Sequence, residues 1–118
     1  GYKNKVSVKI TNAKGVKTIS GTVFGEDVQR VVDLDGFVID VEPKGKMIIM
    51  KNKDIPGVVG KVGNILGENG INISDFRLSR GKEGTALAVI LIDEKANSKV
   101  TSELDNLEAS IAVAYAEI

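Results

Sequence analysis

Asp54, Pro56 and Gly57 stand directly ahead of a helical pattern, and Asn72 follows that pattern at the mouth of a strand. An aspartate carboxylate can pair with an ammonium group, or it can cap a helix. An asparagine amide both donates and accepts, so it can hold either end of a zwitterion. The backbone N–H groups of Gly57, Val58 and Val59 lie at the positive end of the helix, where a carboxylate is favoured. If Asp54 and Asn72 converge beside one end of the helix, a small amino acid finds carboxylate, amide and N–H donors in one place. That chemistry suits sensing an amino acid better than transforming one. The plain alternatives are a capping role for Asp54 and an ordinary exposed strand position for Asn72.

Other chemistries find little support. The 118 residues contain no His and no Cys. The commonest general acid/base, disulfides, thiol nucleophiles and Cys-ligated metal sites are therefore all excluded. Gly57, Gly60 and Gly63 fall inside a helical pattern and lack the spacing of a dinucleotide-binding turn. Lys61 is followed by Val62, which excludes a Walker loop. Carboxylates, Lys82, Tyr2 and Tyr115 form no clustered acid/base set, and surface charge is their default reading. Charge balances at 16 basic and 16 acidic residues, so no field draws nucleic acid or a membrane surface. The apolar run at residues 86–92 is too short to span a bilayer, and no signal peptide is visible. A cytoplasmic globular chain is expected, and 42% apolar residues suffice for a core.

These residues need elements to position them. Residues 5–10 alternate polar and apolar, as a half-buried strand does. Residues 16–24 read as a second strand, with Gly21 as a bulge or an end. Residues 29–34 and 37–41 flank Asp35-Gly36, a two-residue hairpin signal. Glu42-Pro43-Lys44-Gly45 breaks the pattern, and a boundary is expected there, dividing 1–42 from 46–118. Residues 47–50 form a short apolar strand. Pro56 fits the first position of a helix, Val58, Val59, Val62, Ile65 and Leu66 repeat at helical spacing, and Gly70 ends it. The next strand slips phase between Ile73 and Phe76, which predicts a bulge near Ser74-Asp75. A strand over 85–92, a helix capped by Asn97 or Ser98 and a strand over 110–118 complete the chain.

From Lys46 onward the order is βαββαβ. Right-handed crossovers turn it into a four-stranded antiparallel sheet with both helices on one face, a ferredoxin-like α+β sandwich. Two features exceed what that fold needs. Gly60, Gly63 and Gly67 each cost the helix about 1 kcal/mol relative to Ala. Either the helix packs closely on the sheet, or a ligand or partner approaches it there. Residues 85–92 are apolar on both faces, so the face away from the helices is expected to be covered by a partner subunit, the N-terminal half or another domain.

Asn52-Lys53-Asp54-Ile55-Pro56-Gly57-Val58, Gly63-Asn64-Ile65-Leu66, Gly70-Ile71-Asn72-Ile73 and Arg80 resemble the ACT domain, an amino-acid-sensing module appended to metabolic enzymes. Ser20-Gly21-Thr22-Val23-Phe24-Gly25, Arg30-Val31-Val32 and Asp33-Leu34-Asp35-Gly36-Phe37 are similar to the end of the allosteric substrate binding domain of the D-3-phosphoglycerate dehydrogenase family. The resemblance implies a small, mostly β, incomplete domain over 1–42 and an ACT regulatory domain over 46–118. It implies L-serine as effector, bound where ACT domains of two subunits meet. The effector-binding positions it implies are Asn52, Asp54, Pro56, Gly57, Val58, Val59 and Asn72. Some family members carry His where Asn52 stands.

By the same resemblance the chain is a detached regulatory piece, itself without catalytic residues, metal or cofactor. The parent enzyme would be an NAD-dependent oxidoreductase of L-serine biosynthesis. Its partners would be the absent catalytic domains and further copies of itself. Two alternatives stand beside this reading. One is the regulatory region of an iron–sulfur L-serine dehydratase, which carries similar paired domains. The remote one is an RNA-binding ferredoxin-like module, which stacks bases on sheet aromatics. Ala86, Ala88 and Ile90 with Phe76 nearly alone make poor platforms for that.

Overall fold

Eight strands and two helices make up the described chain. The computed structural model describes residues 3–12, 15–24, 31–34, 37–40, 45–81 and 83–117, the first four stretches as backbone strands. These are β1 (Lys3–Asn12), β2 (Gly15–Phe24), β3 (Val31–Leu34) and β4 (Phe37–Asp40), an antiparallel meander in the order β1-β2-β3-β4. Asn12 pairs with Gly15 and Leu34 with Phe37, the pairing that two-residue hairpins impose. The Asp35-Gly36 turn itself, residues 29–30 and the expected boundary at 42–44 lie outside the described residues. Gly21 is neither bulge nor strand end. The ladder runs through it in register, opposite Val6 on one side and Leu34 on the other. With a strand bonded on each side, the backbone there has partners enough to stay extended without a side chain.

The second half is β5 (Lys46–Lys53), α1 (Val58–Glu68), β6 (Ile73–Arg80), β7 (Thr85–Ile92), α2 (Ser98–Asp105) and β8 (Ser110–Glu117). Its sheet has the order β6-β7-β5-β8 with every pair antiparallel. This is the expected ferredoxin-like βαββαβ sandwich. Ile48, Met50, Ala88, Ile90 and Val113 face Val58, Val62 and Leu66 of α1 and Val100 and Leu104 of α2 in one core. Each such aliphatic side chain contributes about 1.5–3 kcal/mol when fully buried.

Local signals act where they were expected. Asn97 accepts the Val100 N–H at 3.1 Å and caps α2. Gly70, at φ +71°, ends α1 in a Schellman motif. The Ile71 N–H donates to the Leu66 carbonyl at 2.9 Å and the Gly70 N–H to that of Gly67 at 3.1 Å. The ladder between β6 and β7 shifts between Ile73 and Asp75. That bulge lets both Ile73 and Phe76 pack on the helix-side core.

Pro56 departs from expectation. The helix starts at Val58, and Pro56-Gly57 form a turn. Gly57 has φ +87° and ψ −6°, the third position of a type II turn, with Pro56 at the second. The Pro-Gly pair thus satisfies turn chemistry, and the helix begins one residue after its glycine.

The sheet face opposite the helices is not wet. Met47, Ile49, Leu87, Val89, Leu91, Ala112 and Ala114 are all buried. β1 lies beside β8 and β4 beside β6, so the N-terminal sheet supplies the cover. Of the three covers the sequence allows, the chain provides its own.

Candidate functional site

A cleft of about 160 Å³ opens at the N-terminal end of α1. Its floor is Met50 from β5 with Val58 and Val62 from α1, and its outer wall is Phe76 and Leu78 from β6. Asn52, Asp54 and Arg80 are the polar groups around it. Strand alternation explains the arrangement. Met50 and Asn52 share one face of β5, and after the bulge Phe76, Leu78 and Arg80 share one face of β6. The Pro56-Gly57 turn bends the chain over the end of the sheet and lays Ile55 and Val59 at the rim. Both remain open to solvent, Ile55 46% and Val59 52% exposed.

Asn52 is 4% exposed, and its amide nitrogen donates to the Lys53 carbonyl at 2.8 Å. Asp54 holds its place through its own N–H, which donates to the Gly84 carbonyl at 2.8 Å. Its carboxylate does not cap α1. The N-cap is Gly57 and no side chain bonds there, so the capping alternative fails. The Asp54 carboxylate turns instead to Arg80, whose Nε lies 3.2 Å from Oδ2. In the sequence Arg80 stands only as part of the motif that resembles the ACT domain. What makes it a site residue is its register on β6 opposite Ala86, which brings the end of that strand beside the start of α1.

Asn72 is elsewhere. Asp54 precedes α1 and Asn72 follows it, and eleven helical residues separate the two ends by about 16 Å. Within one chain they do not converge. The Asn72 amide donates to Asp93 Oδ2 at 2.8 Å, and its backbone N–H donates to Glu94 Oε1 at 2.7 Å. The six other predicted positions, Asn52, Asp54, Pro56, Gly57, Val58 and Val59, all line the cleft.

The glycines of α1 also resolve. A Cβ built at Gly60, Gly63 or Gly67 meets nothing within 4 Å. Close packing on the sheet is therefore not their reason, and the stripe faces outward within the chain. Remote from the cleft, burial and the neighbouring Glu117 carboxylate push the Tyr115 phenol up to about 12. It stays protonated at neutral pH. An RNA platform needs a solvated sheet face, and both faces of this sheet are covered. Among the described residues no three carboxylates gather in a metal-binding group, and no helix is long and apolar enough to cross a membrane.

The chain is 35% identical over 114 residues to D-3-phosphoglycerate dehydrogenase of Bacillus subtilis, covering 96% of this chain and 22% of that protein. It is 30% identical to D-3-phosphoglycerate dehydrogenase of Archaeoglobus fulgidus, over 99% of this chain and 23% of the relative. The enzyme of the same name from Synechocystis is 29% identical, over 97% of this chain and 21% of the relative. The chain thus spans about a fifth of the length of these relatives. Residues 46–109 match the ACT domain, more than half of the chain, and the chain belongs to that family.

Proposed function

We propose that this chain is the regulatory, amino-acid-sensing region of a D-3-phosphoglycerate dehydrogenase, with L-serine as the feedback effector. One observation carries the reading. Six residues that the family resemblance implies for effector contact line a single cleft of about 160 Å³, with a carboxylate and an amide beside a helix start. Asp54 receives the effector ammonium. The amides at the start of α1 and the Asn52 amide receive the carboxylate and the hydroxyl. Asn72, exposed and 11 helical residues away, reaches the effector from a second copy. Binding between two copies favours whichever arrangement of subunits brings both half-sites together. Couplings of this kind are about 1–3 kcal/mol.

Residues 1–42 are, in this reading, the end of the domain that precedes the regulatory unit at 46–118. NAD and the catalytic residues belong to the rest of the parent enzyme, in the cytoplasm. The three relatives named above are dehydrogenases, which favours this parent over an iron–sulfur dehydratase.

Thermal unfolding with and without L-serine tests the reading. A ligand that binds the folded state alone raises Tm, by about 2.7 kcal/mol of added stability at a hundredfold excess over Kd. Asn72→Ala is expected to abolish that rise while leaving the ligand-free Tm within error. An unmoved Tm at millimolar L-serine, with a single cooperative transition, would remove serine as effector.

A further inference from the structure

Arg80 was assigned no task by the composition or spacing of the sequence, yet it sits on the one carboxylate of the cleft. Its Nε lies 3.2 Å from Asp54 Oδ2, and both side chains line the cleft with Met50, Val62 and Phe76. The pair is accessible: the Arg80 side chain is 72% exposed and that of Asp54 32%. Exposed pairs of this kind are weak, about 0–1 kcal/mol. An arginine at this contact is chemically a stand-in for an ammonium group. A ligand cation that takes the same carboxylate must share or replace it.

We propose that Arg80 is a specificity-determining residue that exchanges partners on binding. In the empty cleft its guanidinium neutralises Asp54. When a zwitterion enters, the ligand ammonium takes Asp54, and the guanidinium turns to the ligand carboxylate. One intramolecular ion pair becomes two ligand-mediated ones, so no charge is left without a partner. Guanidinium has five donors in a planar fork that matches a carboxylate, so the same group can leave one carboxylate and grip another. Arg80 is the last residue of β6 and its side chain is largely exposed, so the guanidinium has room to turn from Asp54 toward a ligand in the same cleft. The consequence is selection for α-amino acids. An amine without a carboxylate displaces Arg80 and gives it nothing. A carboxylate without an amine leaves the Asp54–Arg80 pair closed.

This rests on the sensor reading above, and the test separates the two. Calorimetry of the full chain uses three probes: L-serine, L-serinamide, which lacks the carboxylate, and 3-hydroxypropionate, which lacks the amine. Wild-type protein is expected to bind L-serine at least tenfold more tightly than either. Arg80→Gln is expected to weaken L-serine about ten- to a hundredfold, the worth of a charge-assisted hydrogen bond, and to leave L-serinamide unchanged or tighter. Arg80→Lys, which keeps the charge and loses the fork, falls between. A second readout follows the Arg80 Nε–H resonance by NMR. It should move on Asp54→Asn in the absence of ligand and again on adding L-serine to wild type. If wild type takes L-serine and Arg80→Gln takes it equally well or better, the exchange is overturned and the sensor stands. If wild type takes none of the probes, the sensor falls and the exchange with it.

Discussion

The two ends of α1 are built from similar words and behave in opposite ways. Each carries a glycine in the left-handed region, Gly57 at φ +87° and Gly70 at φ +71°. At the C-terminal end the glycine closes the helix. Both Schellman bonds form, Ile71 tucks into the core, and Leu66 beneath it is fully buried. At the N-terminal end the glycine leaves the helix open. No side chain caps it, Ile55 and Val59 remain exposed, and a cleft lies beneath. Exposed apolar side chains and an uncapped helix start cost stability that the other end does not surrender. Sites that bind are built from such locally unstable structure, because the groups that would satisfy it are the ones the ligand brings.

The largest effect should separate the ends by burial. Leu66→Ala at the closed end removes a side chain with no solvent exposure and should destabilise the chain by about 2–5 kcal/mol. Val59→Ala at the open end removes one that is 52% exposed and should change stability by no more than about 0.5 kcal/mol. Denaturant midpoints of the two variants measure the contrast directly. Equal losses would mean that the rim of the cleft is core after all.

A smaller effect distinguishes the two glycines by what they serve. Replacing either with Ala forces a Cβ into the left-handed region, at about 1–2 kcal/mol. A Cβ meets no neighbour within 4 Å at either position, so backbone conformation is the whole cost. Gly57→Ala and Gly70→Ala should therefore lose similar stability. They should differ in binding: Gly57→Ala reshapes the Pro-Gly turn that forms the rim, whereas Gly70→Ala acts only through the placement of Asn72, so Gly57→Ala should weaken L-serine the more in calorimetry. Comparable weakening by the two variants would mean that the rim contributes no more to binding than the placement of Asn72 does.

What was legible in the sequence follows the range of the interactions involved. Gly70, Asn97 and the bulge before Phe76 act on backbone groups within a few residues, and their types announce them. The two-sided apolar pattern of β7 announced that the second face is covered, although only the placement of β1 and β4 says by what. Two local rules compete for Pro56. Pro opens helices, but Pro before a left-handed Gly makes a type II turn, and the turn prevails. Adjacency of the motifs that hold Asp54 and Asn72 conceals the length of the helix between them. Arg80 was invisible as a site residue, since its meeting with Asp54 depends on strand register across 26 positions of chain, from 54 to 80. Composition carries no trace of that.

The smallest effect concerns the stripe that runs between the two ends. Gly60, Gly63 and Gly67 recur at helical spacing, and at each an added Cβ meets no atom of the described residues within 4 Å. A helix interior prefers Ala to Gly by about 1 kcal/mol, so in a lone chain Gly60→Ala should raise stability by about that amount. The rise is expected in dilute protein, where each copy stands alone. Repeating the denaturant titration at high concentration sharpens the comparison. A gain that persists means the stripe is merely solvated, and the glycines serve only to loosen the helix between its open and closed ends. A gain that shrinks or reverses means a second copy seats on the stripe and an added methyl group holds it away. In that case the open end would be completed by another chain, as the effector role proposed for Asn72 requires.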